Sequence, residues 1–546
     1  MNQNFKYCER ALLALDNYVQ AVHGVAHKAA FKDGVLDASL VDQNQRILHG
    51  YAWIVSIQTA LKALLQWATD TQANGKFTNV ENHYLDIAYG EYLAQIVGGV
   101  AMGQNEIVRA SDFGLEEKAS ELSADSSVNH FLKTGNTPEK RQILAEYCRQ
   151  GRFAQEDLSD EVIDAARHQY RRYVDENVIP YAHEWHLEND LIPDQVVKDL
   201  ADLGTFGICV PEEFGGLGSG KLLMSVVTEE LSRGWISAGS LSTRSEIAGE
   251  LILLGGTDQQ QQYWLPKIAS GEVLPTAVFT EPNTGSDLGS LSTRALSTGD
   301  GWQIKGNKTW ITHAVRSDVM TLLARSVPNE SSYSGLSMFL VPKQRGTDDN
   351  PFPDKGLDGT EIEVLGYRGM REYELAFDGF ELPPEALLGG EEGKGFKQLM
   401  QTFEGARIQT AARAVGLARR ALELGLSYAI DRKQFGQSIF KFPRVSDKIA
   451  MMAVDTLVSR ELTYYAAKEK DKGKRCDIEA GMAKLVAAKV AWANADASLQ
   501  IHGGNGYALE YEISRVLCDA RIMNIFEGAG EIQAQVIARG LLSPRG

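Results

Sequence analysis

The apolar residues near the start of the chain recur with the spacing of amphipathic helices. One stripe lies within residues 15–26 and a second within 54–64, and in each the apolar positions are three or four apart, which puts them on one face of a helix. The two stripes consist of Leu15, Val19, Val22 and Ala26, and of Ile54, Ile57, Leu61 and Leu64. A helical pattern returns over about 160–275 and again from 395 onward.

Between about residues 276 and 385 the pattern changes from helical to extended. "VMTLLARS" and "GLSMFLVPK" are short apolar runs typical of buried strands. "EYELAF" alternates, so that Tyr373, Leu375 and Phe377 share one face. "WQIKGNKTWIT" predicts two strands around a Gly306-Asn307 turn. The sequence therefore predicts a β region within an otherwise helical chain.

The chain has 546 residues, too many for one hydrophobic core. Residues 1–150 are expected to form an extra helical region, with the polar stretch 122–140 as a linker or mobile loop. The other expected domains are a helical domain at 155–275, a β domain at 276–390 and a four-helix domain at 391–546. The predicted fold class is α+β and multi-domain.

Charge and cysteine content narrow the possible partners. The net charge of −17 argues against nucleic acid or an anionic membrane as the main partner. The five cysteines are scattered without a CxxC pair, so we expect neither a metal site nor a disulfide framework, and a reducing, cytoplasmic setting. The N-terminus lacks a targeting pattern. The most apolar long stretch, "WIVSIQTALKALLQWA", is too short and too polar to span a membrane.

Two motifs in the β region favour a bound planar ligand. "FTEPNTGSDLGS" supplies hydroxyl groups together with glycines that allow the backbone to approach a ligand closely. "KTWITHA" would place Trp310 and Thr312 on one face of a strand, an apolar plate beside a hydrogen-bond donor. The first motif could equally be an ordinary loop, and Trp310 could equally belong to the core.

Basic and glycine-rich motifs near the C-terminus leave alternatives open. Arg432 and Lys433 in "DRKQFG" stand at a predicted helix end, where they would complement the helix dipole or neutralise a phosphate. The glycines of "QIHGGNGY" allow either a tight turn or contact with a cofactor, and His502 is expected to be structural. "GGLGSG" and "GGEEGKG" do not match a phosphate-binding loop.

In their order and spacing, these motifs closely resemble the acyl-CoA dehydrogenase family. The resemblance extends from about residue 158 to the C-terminus and includes "VPEEFGGLG", "FTEPNTGSD", "KTWIT", "RKQFG", "QIHGGNGY" and "IFEGAGEIQ". It implies a helical domain, a middle β-barrel or sandwich domain and a C-terminal four-helix bundle. It also implies non-covalently bound FAD shared across a subunit interface, and therefore a homo-oligomer.

The resemblance also implies which residues contact the cofactor. Phe279, Thr280 and Ser286 would lie along the flavin and its pyrophosphate, and Trp310, Ile311 and Thr312 would flank the isoalloxazine ring. The residues expected to reach the FAD of a neighbouring subunit are Arg432, Phe435, Gln500, Gly503 and Gly504.

Glu527 matches the catalytic base of the family. A thioester α-proton is weakly acidic, so its removal needs a positioned base with a raised pKa, and an apolar, water-poor pocket would raise the pKa of a carboxyl group. The β-hydrogen would leave as hydride to flavin N5, while the Glu527 N–H and a ribityl hydroxyl stabilise the enolate oxygen. Some family members carry the base just before the position of Arg407; here that residue is Ala406, which closes the alternative.

The extra N-terminal region resembles that of family members that oxidise (2S)-methylsuccinyl-CoA to mesaconyl-CoA in the ethylmalonyl-CoA pathway. Another short or branched acyl-CoA is the alternative. A second carboxylate needs a cation when buried, and Arg244 lies on the helix that forms the floor of the acyl pocket in this family. An ion pair of Arg244 with Glu246 or Glu250 is equally compatible with the sequence. The expected substrate contacts are Arg244, Ser286, Arg407 and Gly528.

The resemblance further implies an electron-transferring flavoprotein as the electron acceptor. Residues 1–150 could cover a surface used for tetramer formation, which favours a dimer, or could close the mouth of the active site. Two other functions remain open: a flavin monooxygenase or oxidase on the same fold, which would not keep a glutamate at position 527, and a catalytically silent binding module.

Overall fold

The protein is described here by a computed structural model that covers residues 3–543 and divides into two compact units. The first unit combines the described residues up to Ala165 with those from Thr410 onward, and the second unit is Ala166–Gln409. The region 1–150, which was expected to form its own helical region, therefore belongs to the same unit as most of the C-terminal helices.

The first unit is almost entirely helical. Its N-terminal elements are α1 (Gln3–Ala30), β1 (Phe31–Lys32), β2 (Val35–Leu36), α2 (Ala38–Gln43), α3 (Gln45–Ala73), α4 (Asn79–Gly98), β3 (Val100–Ala101), β4 (Ile107–Val108), α5 (Glu116–Ala124), α6 (Ser126–Thr134) and α7 (Pro138–Arg149). The predicted stripes of α1 and α3 are buried along their whole length, which confirms the helical periodicity.

The expectation of a linker at 122–140 is wrong, because this stretch lies within three short helices. The Asp125 side chain accepts from the backbone of Ser127 at 2.8 Å and caps α6. Thr137 caps α7, with Pro138 in its first turn. Asp, Ser, Thr and Pro residues favour both loops and the first residues of helices. Closely spaced helix starts therefore resemble a loop in the sequence.

The second unit consists of a helical part followed by a sheet. Its helices are α8 (Glu161–Asn177), which begins in the first unit, α9 (Ile179–Leu187), α10 (Asp194–Asp202), α11 (Lys221–Gly234), α12 (Ile236–Gly255) and α13 (Asp258–Ala269). Its strands are β5 (Pro275–Val278), β6 (Arg294–Ser297), β7 (Trp302–Thr312), β8 (Val319–Arg325), β9 (Leu336–Pro342), β10 (Leu357–Ile362) and β11 (Glu372–Leu382). The strand order is β10-β11-β7-β6-β8-β5, with β9 paired to β8.

The sheet buries the apolar positions that the pattern predicted. Tyr373, Leu375 and Phe377 are all buried on β11, and β8 and β9 are the two predicted apolar strands. The buried residues of β8, β9 and β11 pack with those of β7 into one core. This packing keeps the backbone around "FTEPNTGSD" and "KTWIT" rigid.

The predicted turn at Gly306-Asn307 is wrong, because β7 runs through both residues. Gly306 pairs with Phe377 of β11 and has a φ of +142°. A Cβ at this position would lie 2.7 Å from the Cα of Thr293 on the neighbouring segment. The glycine is required by the close approach of two backbones, which a sequence cannot distinguish from a hairpin turn.

The remaining elements follow the sheet and complete the first unit. They are α14 (Gly395–Asp431), which begins in the second unit and ends in the first, β12 (Lys433–Gln434), β13 (Gln437–Ser438), α15 (Pro443–Asp471), α16 (Asp477–His502), α17 (Ile513–Ile522) and α18 (Gly530–Leu542). These helices confirm the helical pattern that the sequence predicts from residue 395 onward.

Polar as well as apolar contacts join the N-terminal region to the C-terminal helices within the first unit. The Tyr92 hydroxyl donates to Asp455 on α15 at 2.9 Å. The Lys489 ammonium on α16 lies 4.8 Å from the centre of the Trp53 ring, and α3 packs on α18. Because α18 follows directly after the loop that carries Glu527, the N-terminal region supports the segment next to the predicted base.

Candidate active site

Glu527 lies in the loop between α17 and α18, where the backbone is tightly constrained. Its φ is +51°, in the left-handed region that few non-glycine residues adopt. The Gln533 side chain donates to the Glu527 carbonyl at 3.2 Å, and the Lys484 ammonium donates to the Gly528 carbonyl at 2.6 Å. Gly528 has a φ of +94°, and a Cβ there would collide with Gln533. The loop is therefore held by its backbone from α16 and α18.

The carboxylate of Glu527 is bound by two residues of α14. One oxygen lies 2.7 Å from an Nη of Arg413, and the other accepts from the Thr410 hydroxyl. The same Arg413 nitrogen donates to the Thr410 oxygen at 2.8 Å. The Arg413 side chain is fully buried, with its guanidinium 4.9 Å from the centre of the Phe526 ring, whereas the Glu527 side chain is 15% exposed.

The expectation that Glu527 lies in purely apolar surroundings is therefore wrong. A buried cation and a hydroxyl donor both favour the charged form of a carboxyl group, which opposes the effect of burial that was expected alone. Arg413 stands 114 positions before Glu527 in the chain, so no local pattern connects the two. The available signal was a single arginine among mostly apolar residues in "TAARAVGLA".

In the second unit, the two motifs that were expected to bind a planar ligand lie side by side. Lys308 is fully buried on β7, and its ammonium donates to the Phe279 carbonyl at 2.9 Å and to the Glu281 carboxylate at 3.1 Å. The Thr309 N–H donates to the Thr280 carbonyl at 3.0 Å. Phe279 and Thr280 are therefore fixed next to the start of "KTWIT".

Trp310 and Thr312 do not share one strand face as expected. The register between β7 and β11 shifts here, and Trp310 has a φ of +58°. This irregularity, a bulge, leaves the indole 56% exposed, while Ile311 and Thr312 are buried. An exposed indole on a rigid strand fits a flat aromatic cofactor, and the exposed Ser286 lies in the other of the two motifs.

Glu372 is a residue of this region that the sequence did not reveal. It lies on β11 and accepts from the Thr312 hydroxyl at 2.8 and 3.0 Å. Burial raises its pKa to about 7, although the Thr312 hydrogen bond and the charge of Arg244 act in the opposite direction. Thr312 stands 60 positions before Glu372 in the chain, so only the register of the sheet brings the two side chains together.

Arg244 lies on α12 and is nearly buried. It is within electrostatic range of Glu372 and of His313. The alternative partners for Arg244, Glu246 and Glu250, both contact Lys221, the latter at 3.0 Å. Another predicted substrate contact of this unit, Arg407, is half-buried on α14, with its guanidinium 5.8 Å from the centre of the Phe403 ring.

The residues expected to reach a neighbouring subunit lie on the surface of the first unit. Phe435 is 93% exposed in the β12–β13 hairpin, and Arg432 and Gln500 are exposed as well. Gly503 and Gly504 have open space around their Cα atoms. A fully exposed phenylalanine is typical of a surface that another molecule covers. His502 stacks on Tyr428 at 4.2 Å and contacts the Ser498 carbonyl, as expected for a structural histidine.

Three family models match the chain in succession. They are the acyl-CoA dehydrogenase N-terminal domain at residues 160–272, the middle domain at 276–380 and the C-terminal domain at 393–542. None of the helices described within residues 3–543 is long and apolar enough to cross a membrane.

Individual relatives are similar over different shares of the chain. (2S)-methylsuccinyl-CoA dehydrogenase of Cereibacter sphaeroides is 58% identical over 514 residues, 93% of each chain. A solved glutaryl-coenzyme A dehydrogenase in complex with glutaryl-CoA is 31% identical, with a TM-score of 0.67 over 72% of this chain and 98% of that one. A glutaryl-CoA dehydrogenase of Mycobacterium smegmatis, solved with FADH2, is 27% identical, with a TM-score of 0.63 over 70% of this chain and 95% of that one.

Proposed function

Since this chain belongs to the acyl-CoA dehydrogenase family, whose members use FAD, we propose that it oxidises (2S)-methylsuccinyl-CoA to mesaconyl-CoA. The reaction removes a proton from the carbon next to the thioester and a hydride from the carbon beyond it. In this role the enzyme would serve acetate assimilation through the ethylmalonyl-CoA pathway.

One observation carries the choice of substrate. The relative from Cereibacter sphaeroides matches 93% of the chain at 58% identity, a share that includes most of residues 1–150. The two solved glutaryl-CoA dehydrogenases cover only 70% and 72% of the chain. The similarity to the methylsuccinyl-CoA enzyme thus includes the region that distinguishes this chain from the shorter members of the family.

Glu527 is the proposed base for the α-proton. Its loop is fixed by Lys484 and Gln533, so the carboxylate is preorganised, as proton transfer requires. The backbone N–H of Glu527 is the proposed donor to the thioester oxygen, on which negative charge develops as the proton leaves. Gly528 allows the loop to turn closely over the substrate.

The residues present fit FAD. In the second unit, Phe279, Thr280, Ser286, Trp310, Ile311 and Thr312 would hold the flavin and its pyrophosphate, with the exposed indole of Trp310 as the planar surface. In the first unit, Arg432, Phe435, Gln500, Gly503 and Gly504 would contact the FAD of a second subunit. When bound, FAD supplies the hydride acceptor, flavin N5.

The free carboxylate of the substrate is proposed to contact Arg244, a nearly buried cation. Ser286, Arg407 and Gly528 are the other proposed substrate contacts. We further propose a cytoplasmic homodimer that passes electrons to an electron-transferring flavoprotein. The exposed rings of Phe435 and Tyr507 support a second copy as the partner of that surface.

A screen of acyl-CoA esters with a dye as electron acceptor tests the proposal. We expect the highest kcat/KM for (2S)-methylsuccinyl-CoA among short straight, branched and dicarboxylic esters, with little oxygen consumption when the dye is omitted. A higher kcat/KM for butyryl-CoA or glutaryl-CoA would contradict the proposed substrate. Rapid oxygen consumption would instead indicate an oxidase.

A further inference from the structure

A groove of about 890 Å³ lies within the first unit, between α7 of the N-terminal region and residues 430–446 of the C-terminal region. It is called here the α7 groove. Residues 142–149 of α7 form one wall, and the β12–β13 hairpin and the start of α15 contribute to the other. An ion pair between Arg141 and Asp447, at 3.1 Å, holds α7 against α15. The groove has the volume of a site for a small organic ligand.

The C-terminal wall belongs to a strongly cationic segment of an acidic protein. Residues 432–444 contain four cations and no acid, whereas the whole chain has a net charge of −17. The four are Arg432, Lys433, Lys441 and Arg444. Within residues 3–543, none of their side chains has a hydrogen-bond or ion-pair partner, and Lys441 lines the groove. Such a concentration of positive charge attracts a small anion.

The rest of the groove offers apolar surface and amide groups. Ile143 is 43% exposed and lies on the α7 wall, while Phe440 lies on the other wall. Gln142 and Gln437 also line the groove, and neither side-chain amide has a hydrogen-bond partner in the described part of the chain. Apolar walls with a few polar groups suit a planar heterocycle such as a purine, whose faces are apolar and whose edge forms hydrogen bonds.

A purine joined to a diphosphate matches both the cationic and the apolar features of the groove. FAD and coenzyme A each contain this group as adenosine diphosphate, and the position of the groove favours FAD. The proposed function assigns Arg432 and Phe435 to the FAD of a second copy, and both lie at the hairpin that contributes to the groove. The centre of the Phe435 ring lies 5.9 Å from that of Phe442, the residue before Pro443 of the groove wall.

Resting on the proposed function, we propose that α7 forms one wall of the site for the adenosine diphosphate end of the FAD held by a second copy of the chain. Ile143 and Phe440 would enclose the purine, and Lys441 would pair with the diphosphate. Arg149 contacts Glu146 at 2.5 Å, which neutralises the acid that lines the groove. The N-terminal region thereby helps to retain the cofactor, and the site is incomplete without a second copy.

Dilution of the full-length, FAD-loaded protein, with the release of FAD followed by its fluorescence, tests this role without turnover. Ile143→Glu places a negative charge beside the diphosphate, so we expect it to raise the Kd for FAD at least about tenfold. Ile143→Lys, which has similar bulk and the opposite charge, should raise the Kd much less. Lys441→Met should raise it about tenfold, because a hydrogen bond between charged groups is lost.

Leu13→Glu and Lys32→Met are the matched controls, because they make the same kinds of change at exposed positions of the first unit outside the groove. Both should keep the wild-type Kd for FAD. If Ile143→Glu fails to fold, Gln142→Glu introduces the charge one residue earlier with almost no change of shape. A wild-type Kd in a groove variant, an equal rise in its control, or an equal rise for both charges at position 143 would overturn the proposal.

Coenzyme A carries the same adenosine diphosphate group, so a second measurement separates the two sources. Calorimetry gives the Kd of mesaconyl-CoA for protein kept saturated with FAD. The groove variants should bind mesaconyl-CoA with the wild-type Kd. A weaker binding of mesaconyl-CoA together with an unchanged Kd for FAD would assign the groove to coenzyme A and overturn the proposal.

Mixed dimers test whether the groove serves the FAD of the other copy. One tagged chain carries Ile143→Glu, a second chain with a different tag carries Trp310→Ala at the proposed flavin end, and both tags are used in purification. The proposal predicts one tightly bound FAD per mixed dimer, because one of its two sites combines an intact groove with an intact flavin end. Loss of tight binding at both sites, or tight binding by a monomer, would overturn it. Turnover of methylsuccinyl-CoA by the unaltered enzyme, measured first, tests the proposed function separately.

Discussion

Two buried ion pairs, one in each unit, show how differently the same chemistry can be used. Glu281 accepts from the Ser292 N–H and hydroxyl at 2.7 Å, from the Thr293 N–H at 2.8 Å and from Lys308 at 3.1 Å. Burial alone would raise its pKa, but Lys308 and these hydrogen bonds lower it to about 2. Glu527 accepts from Arg413 and Thr410, is 15% exposed, and lies in a loop with left-handed backbone geometry.

The difference lies in what surrounds each carboxylate. Glu281 is saturated by donors from its own sheet, so exchanging any partner would leave a buried group unsatisfied. Glu527 contacts Arg413 and Thr410 of a distant helix, and its side chain keeps 15% of its surface accessible to solvent. The first pair is enclosed within the sheet region, whereas the carboxylate of the second pair lies partly accessible in a loop.

The largest effect on stability is expected from breaking the pair of Glu281 and Lys308. Lys308→Met should lower the free energy of unfolding by about 3–5 kcal/mol, since it leaves Glu281 charged and buried without its cation. It should also release FAD, because Lys308 holds the Phe279 carbonyl. Denaturant titration and the flavin absorbance of the purified protein measure both effects.

Lys305→Met is the control for that change, because Lys305 is exposed on the same strand. It should shift the free energy of unfolding by less than about 0.5 kcal/mol. A similar loss in both variants would mean that the strand, and not the buried pair, is sensitive to substitution.

A smaller effect, on kcat/KM, is expected from replacing Arg244, a nearly buried cation of the second unit. Arg244→Met should lower kcat/KM for methylsuccinyl-CoA roughly 10- to 100-fold more than for butyryl-CoA, because a hydrogen bond to a charged group is lost only with the dicarboxylic ester. Steady-state kinetics with both esters measure the ratio. Equal losses on the two esters would assign Arg244 a structural role beside Glu372.

The smallest effect is expected from the contact between the N-terminal region and α15. Burial raises the pKa of Asp455 to about 6, and the Tyr92 hydrogen bond partly opposes this. Tyr92→Phe should cost about 1–2 kcal/mol of unfolding free energy at pH 7.5. The cost should be smaller at pH 5, where Asp455 is mostly protonated and its interaction with Tyr92 is weaker.

The sign of the underlying pH dependence follows from the direction of the shift. A carboxyl group whose pKa is higher in the folded state binds its proton more tightly there, so its stabilising contribution is complete below its unfolded pKa and is lost as the pH rises through about 6. Denaturant titrations of wild type and Tyr92→Phe at both pH values check this prediction. A larger cost at pH 5 would contradict it.

The spacing of apolar residues predicted the helices and strands of this fold better than residue types predicted the loops and turns between them. The apolar stripes of α1 and α3 and the alternating apolar residues of β11 are buried as expected, because burial of one face is a local property of each element. The linker at 122–140 and the turn at Gly306 were wrong, because caps and close backbone approaches use the residue types of loops.

The candidate site was predictable only in its separate parts. Glu527 and the "KTWIT" motif stand out within a few residues of chain, and the family resemblance gave each an expected role. Arg413, Lys308 and Glu372 were not recognised, because their partners lie 27 to 114 positions away in the chain. Which cation meets which carboxylate depends on the packing of elements, which local patterns do not contain.

Glu527 is proposed to remove the α-proton of a dicarboxylic thioester, with FAD as the hydride acceptor. The most direct test mixes the yellow, FAD-loaded protein anaerobically with (2S)-methylsuccinyl-CoA and follows the flavin absorbance. Wild type should bleach rapidly, and Glu527→Gln, with its FAD content unchanged, should bleach at least about 100-fold more slowly. Bleaching of the Glu527→Gln protein at the wild-type rate would contradict the claim.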